Sequence, residues 1–233
     1  MIKILIRAVI VLVCLLAITI SVLYFPYKWI TIVSDGDAIS HYDKPRTALL
    51  VIDVQRNLTA KDGTWILNLG QTDDMIGKIN QLIDMSTMND IEVIYITNEV
   101  SKFSPVNHFT NRSMERNSPG AKMDERIRIV NTNHFVKSRM DAFTNREFEN
   151  FLIEQRINHV VVTGIIAEDC VEKTIRGALN RNYQVTVITD GIATTSDERR
   201  DQKIKDFQNL GVEALTTEEL LYRFSVKSNS DLH

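Results

Sequence analysis

The chain has 233 residues, of which 44% are hydrophobic and 24% are charged, and its formal net charge is −3. This composition is typical of a globular protein and excludes a disordered or collagen-like chain. The small negative charge gives no reason to expect a nucleic-acid partner, which normally requires a basic face. With only two cysteines, Cys14 and Cys170, the chain cannot carry a disulfide framework.

The first predicted element is an apolar helix near the N-terminus. Residues 8–27 form a run of 20 uncharged residues, which matches the length that crosses a bilayer as a helix. We therefore expect a membrane anchor over residues 1–30 that contacts the lipid bilayer through residues 8–27. A cleaved signal peptide and a buried core helix are the alternatives. Lys3 and Arg7 precede the run and favour a single-pass arrangement with the rest of the chain on the extracytoplasmic side.

The rest of the chain alternates predicted strands with predicted helices. A polar linker over residues 31–46 leads into a domain over residues 47–225, and residues 226–233 form a tail. In chain order the domain is predicted to contain strand 48–53, a helix from Thr72, strand 91–97, a polar segment 101–130, strand 134–136, helix 144–155, strand 159–164, helix 169–180, strand 184–189, helix 196–209, edge strand 212–215 and a short helix from Thr216. The alternation predicts an α/β fold with a doubly wound, mostly parallel sheet flanked by helices. Because loops as long as 101–130 are usually functional or disordered, we expect that segment to be a lid or a partner contact.

Three chemically capable residues follow predicted strands. Asp53 ends the first strand, Lys137 follows strand 134–136, and Cys170 lies just beyond strand 159–164. Ligands of open α/β sheets bind beyond the carboxyl ends of the strands. A thiolate is a nucleophile, a carboxylate can accept the thiol proton, and a lysine can stabilise the anions that form. Each residue alone also has a structural interpretation, as a buried cysteine, a turn-forming aspartate or a solvated lysine.

Three blocks of the sequence carry a family resemblance. They are Ala48-Leu-Leu-Val-Ile-Asp53-Val-Gln55, His134-Phe-Val-Lys137-Ser-Arg-Met-Asp-Ala-Phe143 and Val160-Val-Val-Thr-Gly164-Ile-Ile-Ala-Glu-Asp-Cys170-Val171. In order and separation these blocks resemble the isochorismatase-like cysteine hydrolases, which include nicotinamidases and other small amidases. The resemblance covers residues 45–222.

The resemblance implies roles for particular residues. Asp53 would be the general base, Lys137 its electrostatic partner and Cys170 the nucleophile, with a Cys170 thioester as intermediate. A cis peptide bond between Ile165 and Ile166 would aim the backbone N–H groups of Ile166 and Cys170 at an oxyanion. The resemblance further suggests a small-molecule substrate and assembly as a homo-oligomer, either a dimer or a tetramer.

Departures from the family pattern shape two further expectations. Leu58 stands where an aromatic residue is usual, so Gln55, Asn57 and the region of Trp65 are candidates for substrate contact. Nicotinamidases bind a metal through an Asp-x-His motif and a further histidine between the first and second blocks, but that region of this sequence contains no Asp-x-His. Its histidines are scattered without ligand spacing, so we expect no metal and no cofactor; they are His41, His108, His134, His159 and His233.

The sequence leaves several functions open. The leading hypothesis is a membrane-anchored cysteine hydrolase that cleaves an amide-like C–N bond of a small molecule. A vinyl-ether hydrolase is the alternative within the family, since true isochorismatases do not need the cysteine. A non-catalytic, membrane-tethered binding module on the same fold is a third hypothesis. A flavodoxin-like nucleotide binder is disfavoured, because the glycines never form a phosphate-binding loop.

Overall fold

The computed structural model describes residues 2–63, 69–104 and 106–230, with the backbone alone at residues 2–5, 8, 9, 18, 22, 23, 26, 69, 108, 109 and 227–230. The strands of this described part are β1 (Arg46–Ile52), β2 (Glu92–Asn98), β3 (His134–Lys137), β4 (Ile157–Ile165), β5 (Gln184–Ala193) and β6 (Glu213–Leu215). Its α-helices are α1 (Ile2–Thr31), α2 (Arg56–Thr59), α3 (Leu69–Met88), α4 (Val106–Phe109), α5 (Arg146–Glu154), α6 (Glu172–Leu179), α7 (Asp197–Asn209) and α8 (Thr217–Ser230). A π-helical turn over Ala167–Val171 connects β4 to α6.

The strands form one sheet in the order β3-β2-β1-β4-β5-β6, and every neighbouring pair is parallel. The chain first builds outward from β1 through β2 to β3, and then returns to place β4 on the other side of β1. The carboxyl ends of β1 and β4 therefore flank the point where the strand order reverses. Open α/β sheets bind their ligands in the crevice at that point. The predicted α/β fold with a parallel sheet flanked by helices is confirmed.

Both faces of the sheet are covered, which explains why its central strands are continuous apolar runs. Alternate residues of β1 enter different cores: Leu50 and Ile52 pack with side chains of α5, α6 and α7, whereas Leu49 and Val51 pack with side chains of α3 and α8. All four of these β1 side chains are buried. The two cores fix the register of the strands, since a shift of one residue would exchange the faces.

β1 and β4 approach each other closely at the carboxyl end of the sheet. Ile52 pairs with Gly164, which has a φ of +116°. A Cβ at residue 164 would lie 2.0 Å from the carbonyl oxygen of Ile52. Only glycine combines this positive φ with the absence of a side chain.

The apolar N-terminal segment is helical, as predicted, and forms α1 over Ile2–Thr31. A membrane span needs about 20 consecutive, predominantly apolar residues. Within the residues that the structure describes, no helix supplies a run long and apolar enough to cross a membrane. The predicted transmembrane helix over residues 8–27 is therefore not supported. The bilayer contact, the extracytoplasmic location and the homo-oligomer stay predictions from the sequence.

The predicted linker is attached to the domain. Residues 32–45 contain neither helix nor strand. The backbone N–H and the hydroxyl of Ser34 both donate to Asp141 Oδ2, at 2.8 and 2.6 Å. Arg181 donates hydrogen bonds to the carbonyl oxygens of Ser34 and Asp35. These contacts hold residues 34 and 35 against the domain.

Two predicted helix boundaries were wrong. α3 begins at Leu69, so Thr72 lies inside the helix. α8 continues to Ser230, so the predicted tail over residues 226–233 begins within a helix. The first turns of α8 are held by apolar packing, because Leu220, Leu221 and Phe224 pack against the α3 side of the sheet.

The long polar segment over residues 101–130 is folded onto the carboxyl end of the sheet. Within its described residues it contains α4 and a 3₁₀ turn over Pro119–Ala121. Isolated β-bridges pair Val100 with Glu115 and Gln55 with Met123. The segment is therefore connected to the residues that follow both β1 and β2.

The close approach of β1 and β4 predicts an asymmetric response to two glycine substitutions. Gly164→Ala should destabilise the fold by several kcal/mol, on the order of 3 or more, because the strands must separate to admit a Cβ. Gly77→Ala is the matched control, since a Cβ at residue 77 of α3 would meet no neighbouring atom within 4 Å. This control should stabilise the helix by up to about 1 kcal/mol. Urea unfolding of both variants measures the difference, and equal midpoints would contradict the prediction.

Candidate active site

The ends of three strands bring Asp53, Lys137 and Cys170 together. Asp53 follows β1, Lys137 is the last residue of β3, and Cys170 lies in the π-helical turn after β4. Lys137 Nζ lies 2.7 Å from Asp53 Oδ2 and 3.2 Å from Cys170 Sγ. The side chains of Lys137 and Asp53 are only 1% and 2% exposed. The structure therefore forms a buried constellation from residues that are far apart in the sequence.

The local backbone directs Asp53 into the site. Its φ is +53°, which is uncommon for a residue other than glycine but tolerated by aspartate. Its N–H donates to the carbonyl oxygen of Ile96 at 2.8 Å, and its own carbonyl accepts from the N–H of Gln55 at 2.8 Å. The chain thus leaves the sheet in a tight turn directly after β1. Residues in such sparsely populated conformations persist where the surrounding structure determines them, often at functional sites.

Lys137 reaches the site from a more distant strand. β3 is separated from β1 by β2, and Asn98 at the end of β2 pairs with Lys137. The long aliphatic part of the lysine side chain crosses this distance. The N–H of Glu99 donates to the carbonyl oxygen of Lys137 at 2.8 Å, which fixes the backbone there.

Burial and charge perturb all three titratable groups. Burial raises the pKa of Asp53, and the ammonium group of Lys137 opposes this rise. Burial lowers the pKa of Lys137, but the negative charge of Asp53 and the hydrogen bonds to Asp53 and Cys170 outweigh this effect, so the pKa is raised overall. Burial raises the pKa of Cys170, and the negative charge of Asp53 raises it further. The 2.7 Å contact between Lys137 and Asp53 is that of an ion pair, and the raised pKa of Cys170 favours a neutral thiol beside it.

Proton transfer within the site avoids a buried net charge. Loss of the thiol proton to solvent would leave Asp53, Lys137 and Cys170 with a net negative charge in a low-dielectric environment, which is costly. Transfer of that proton to Asp53 leaves the net charge at zero. Asp53 Oδ2 is engaged by Lys137, whereas Oδ1 accepts no hydrogen bond from the described part of the chain. Oδ1 is therefore the oxygen available to receive the proton.

A cavity of about 200 Å³ opens above these residues. Asp53 and Cys170 form part of its wall. Most of the other lining side chains are apolar; the full lining also includes Tyr27, Ile30, Leu58, Asn98, Val100, Val106, Thr110, Met114, Ser138, Met140, Ile165, Ile166 and Asp169. The segment over residues 101–130 supplies one wall. Its role as a lid or a partner contact stays a prediction.

The residues expected around the nucleophile lie at the cavity. The peptide bond between Ile165 and Ile166 is cis, at the position that the resemblance implies. Both isoleucines line the cavity beside Cys170. The backbone N–H groups of Ile166 and Cys170 therefore lie at the cavity beside the Cys170 thiol.

Gln55 and Asn57, which were predicted to contact the substrate, do not line the cavity that contains Asp53 and Cys170. Gln55 Nε2 donates to the carbonyl oxygens of Asn98 and Ala121 at 3.0 and 2.6 Å, and Gln55 Oε1 accepts from the N–H of Asn98 at 2.8 Å. Its amide is thus occupied by backbone and connects the end of β2 to the 101–130 segment. Asn57 lines a separate depression beside Arg56. Trp65, the third candidate, lies outside the described residues.

Several cavity residues were missed by sequence reasoning. Tyr27 and Ile30 belong to α1, and nothing in the sequence places that helix beside a site formed more than 20 residues later. Met140 and Asp169 lie within the blocks that carry the family resemblance, so their proximity to Lys137 and Cys170 was a usable signal. Burial raises the pKa of Asp169, which favours its neutral form.

Two histidines have structural positions in the sheet. His134 Nε2 lies 2.8 Å from Thr97 Oγ1, and His159 Nε2 lies 2.8 Å from Thr186 Oγ1. Among the residues that the structure describes, no group of three or more His, Cys, Asp or Glu side chains is arranged to hold a metal ion.

Comparison with known proteins decides the family. Residues 47–219 match the family model described as Isochorismatase domain. The chain belongs to the isochorismatase family. This match confirms the predicted resemblance. Membership of the isochorismatase family identifies the protein as a hydrolase.

The alignments with similar proteins extend over most of this chain. A probable inactive nicotinamidase of Arabidopsis thaliana is 25% identical over 185 residues, which are 74% of this chain and 93% of that protein. An isochorismatase-like hydrolase from Alkaliphilus metalliredigens has the same fold, with a TM-score of 0.71 and 18% identity over 77% of this chain and 99% of that one. The N-carbamoylsarcosine amidase from Thermoplasma acidophilum matches with a TM-score of 0.62 and 22% identity over 74% of this chain and 96% of that one.

The electrostatics of the isochorismatase-family site predict an unusual effect of Asp53→Asn. Removal of the carboxylate leaves the Lys137 ammonium alone beside the thiol, so the pKa of Cys170 should fall. Alkylation of Cys170 by iodoacetamide at pH 7 should then become at least severalfold faster, because the thiolate is the reacting form. Peptide mass mapping measures the rate at this cysteine.

Asp169→Asn is the control for this prediction. It removes another carboxyl group from the same cavity, but Asp169 is not among the groups that shift the pKa of Cys170. Its alkylation rate should remain within about twofold of the parent rate. Slower alkylation in Asp53→Asn would show that the carboxylate does not oppose ionisation of the thiol.

Proposed function

We propose that this protein hydrolyses the C–N bond of a small amide through a thioester on Cys170. The observation that carries the proposal is the position of Lys137 Nζ, within 3.2 Å of Cys170 Sγ and 2.7 Å of Asp53 Oδ2 at the base of a cavity. Nucleophile, base and cation are thereby in direct contact. This is the arrangement that nucleophilic catalysis by a cysteine requires.

Acylation begins with transfer of the thiol proton to Asp53. Cys170 Sγ attacks the carbonyl carbon, and the C=O electron pair moves onto the oxygen to give a tetrahedral oxyanion. As the C=O bond reforms, the C–N bond breaks and Asp53 returns its proton to the departing nitrogen. Ammonia or an amine leaves, and the acyl group remains on Cys170 as a thioester.

Deacylation uses the same groups with water as the nucleophile. Asp53 accepts a proton from the water while its oxygen attacks the thioester carbon. The C–S bond then breaks, the proton returns to the sulfur, and a carboxylic acid is released. Lys137 keeps the net charge of the site low in both halves, because its positive charge balances the one negative charge present at each stage, on the carboxylate, the thiolate or the oxyanion.

The backbone N–H groups of Ile166 and Cys170 are the proposed donors to the oxyanion. Both residues line the cavity at the turn after β4. The loss of one such donor typically costs about 2.7–4 kcal/mol of transition-state stabilisation.

A vinyl-ether hydrolase and a binding module are the competing functions. Cleavage of a vinyl ether by protonation has no need for a thiol, whereas Cys170 is in direct contact with Lys137 in this protein. The Thermoplasma neighbour is an amidase by name, which supports a C–N bond as the target. The Arabidopsis relative is named as probably inactive, so a test of turnover is essential.

The first test of the proposed function is ammonia release from a panel of primary amides by the full chain. Cys170→Ala should lower kcat/KM by at least about 10³-fold, because the nucleophile of the covalent step is lost. Cys14→Ala is the matched control, since it removes the other cysteine of the chain, which is exposed on α1. This control should retain the parent rate.

The results distinguish the competing functions. Ammonia release that depends on Cys170 supports the amidase. Ammonia release that survives Cys170→Ala overturns the thioester mechanism, and hydrolysis of a vinyl-ether substrate by both the parent and Cys170→Ala would identify the ether hydrolase. Binding of amides by the parent without any turnover favours the binding module.

The pH dependence of kcat/KM provides a second test. Activity requires an ionised Asp53, so activity should fall as pH decreases through the pKa of this group. Because burial raises that pKa above its ordinary value of 3.8, the acid limb should lie above 3.8. The alkaline limb should lie above 9.0, since the pKa of the Cys170 thiol is raised above that value. A profile that only rises, with its midpoint near 9, would instead indicate a thiol that ionises freely into solvent.

A further inference from the structure

The N-terminal segment supplies part of the cavity wall. Tyr27 and Ile30, in the last turn of α1, line the same cavity as Asp53 and Cys170. These residues precede β1 and lie outside the part of the chain that matches the isochorismatase domain. The family fold alone therefore does not account for this wall.

Several contacts hold the end of α1 in this position. The N–H of Met140 donates to the carbonyl oxygen of Ile30 at 3.0 Å. Arg139 donates to the carbonyl oxygen of Ile32 at 3.2 Å, and its guanidinium lies 5.2 Å from the centre of the Trp29 ring. Arg139 and Met140, which donate these hydrogen bonds, follow shortly after Lys137 in the chain. The end of α1 is therefore fixed relative to Lys137 and the site that it forms with Asp53 and Cys170.

A second attachment involves Ser34 and Asp35, which follow α1 in the chain. Asp141 is fully buried and accepts hydrogen bonds from the N–H and the hydroxyl of Ser34. Arg181, which is also buried, holds the carbonyl oxygens of Ser34 and Asp35. Residues 30–35 are therefore bound to the domain through backbone and side chain together.

The wall that α1 completes is apolar. Ile30 shares it with Met140, Met114, Val106 and Leu58. No lysine or arginine is among the described residues that line this cavity, so nothing there would pair with an anionic substituent. An anionic group that entered would lose its hydration without compensation. An uncharged hydrocarbon group, by contrast, gains about 0.8 kcal/mol for each buried methylene.

The volume of the cavity limits the size of that group. An apolar cavity of roughly 150 Å³ is sufficient for a benzene molecule. The cavity of about 200 Å³ therefore has room for one small ring or one short alkyl chain beside the reacting amide.

We propose that the end of α1 is a specificity wall, that is, a part of the cavity surface that selects the substrate. The substrate is then a small amide with an uncharged, apolar substituent packed against Ile30. The identity of the bond that is cleaved rests on the proposed amidase function. The preference for an apolar group rests only on the cavity, so it can be tested without turnover.

The first experiment measures this preference through the nucleophile itself. The full chain is treated with iodoacetamide or N-butyl iodoacetamide, and the alkylation rates at Cys170 and Cys14 are followed by peptide mass mapping. Cys14 is exposed and reports the intrinsic reactivity of each reagent. Relative to Cys14, Cys170 should prefer the butyl reagent by at least about tenfold. Equal preference at the two cysteines would overturn the proposal.

Matched variants locate the preference on α1. Ile30→Asn places an amide in the wall and should reduce the preference at Cys170 to within about threefold of that at Cys14. Ile20→Asn makes the same change on the same helix at an exposed residue away from the cavity. It should leave the preference intact. A preference that survives Ile30→Asn would show that α1 does not determine specificity.

Turnover separates this proposal from the proposed function. For the parent, kcat/KM for ammonia release should rise from acetamide to butyramide to hexanamide, and Ile30→Asn should flatten the series mainly through KM. A flat parent series would overturn the specificity wall while leaving the amidase intact. Selective alkylation by the butyl reagent without hydrolysis of any amide would instead sustain the wall and overturn the amidase.

Discussion

The structure of the site depends on one buried ion pair, between Asp53 and Lys137. Neither charge can be placed in the interior alone, because the loss of hydration costs several kcal/mol for each ion. Removal of one partner from such a pair typically destabilises a protein by about 3–5 kcal/mol. The pair therefore requires that the ends of β1 and β3 keep a fixed separation. Cys170 is added to this pair from β4, at 3.2 Å from the lysine.

The sheet supplies that fixed geometry through close backbone contacts. Gly164 lets β4 approach β1 at Ile52, immediately before Asp53. Gln55 connects the end of β2 to the 101–130 segment through three hydrogen bonds to backbone. A residue of a family block thus braces the backbone beside the site. The precision of the site comes from these backbone contacts around the strand ends.

Sequence reasoning succeeded where the physical signal is local. Continuous apolar runs identified the buried strands, and residues at the ends of such strands of a parallel sheet must lie at one edge. That rule places Asp53, Lys137 and Cys170 together from the sequence alone. Their roles in catalysis stay predictions, but their proximity follows from the topology of the sheet.

Sequence reasoning failed where the signal is tertiary. The apolar pattern of α1 is equally consistent with several environments, and nothing in residues 27–30 indicates that they meet residues 138–140. The interactions that decide this are hydrogen bonds from Met140 and Arg139 to backbone carbonyls, which any sequence in α1 could accept. The position of α8 also depends on tertiary contacts, because its apolar side chains Leu220, Leu221 and Phe224 pack in the same core as α3.

The apolar wall and the charged base of the cavity act on each other. Electrostatic interactions strengthen as the local dielectric constant falls, so side chains that exclude water increase the attraction between Lys137 and each anion that forms. The same environment raises the pKa of the Cys170 thiol and makes loss of its proton to solvent unfavourable. Transfer to Asp53 then becomes the favoured route, because it alone keeps the net charge of the site at zero. A wall completed by α1 would in this way contribute both to the choice of substrate and to the direction of proton transfer.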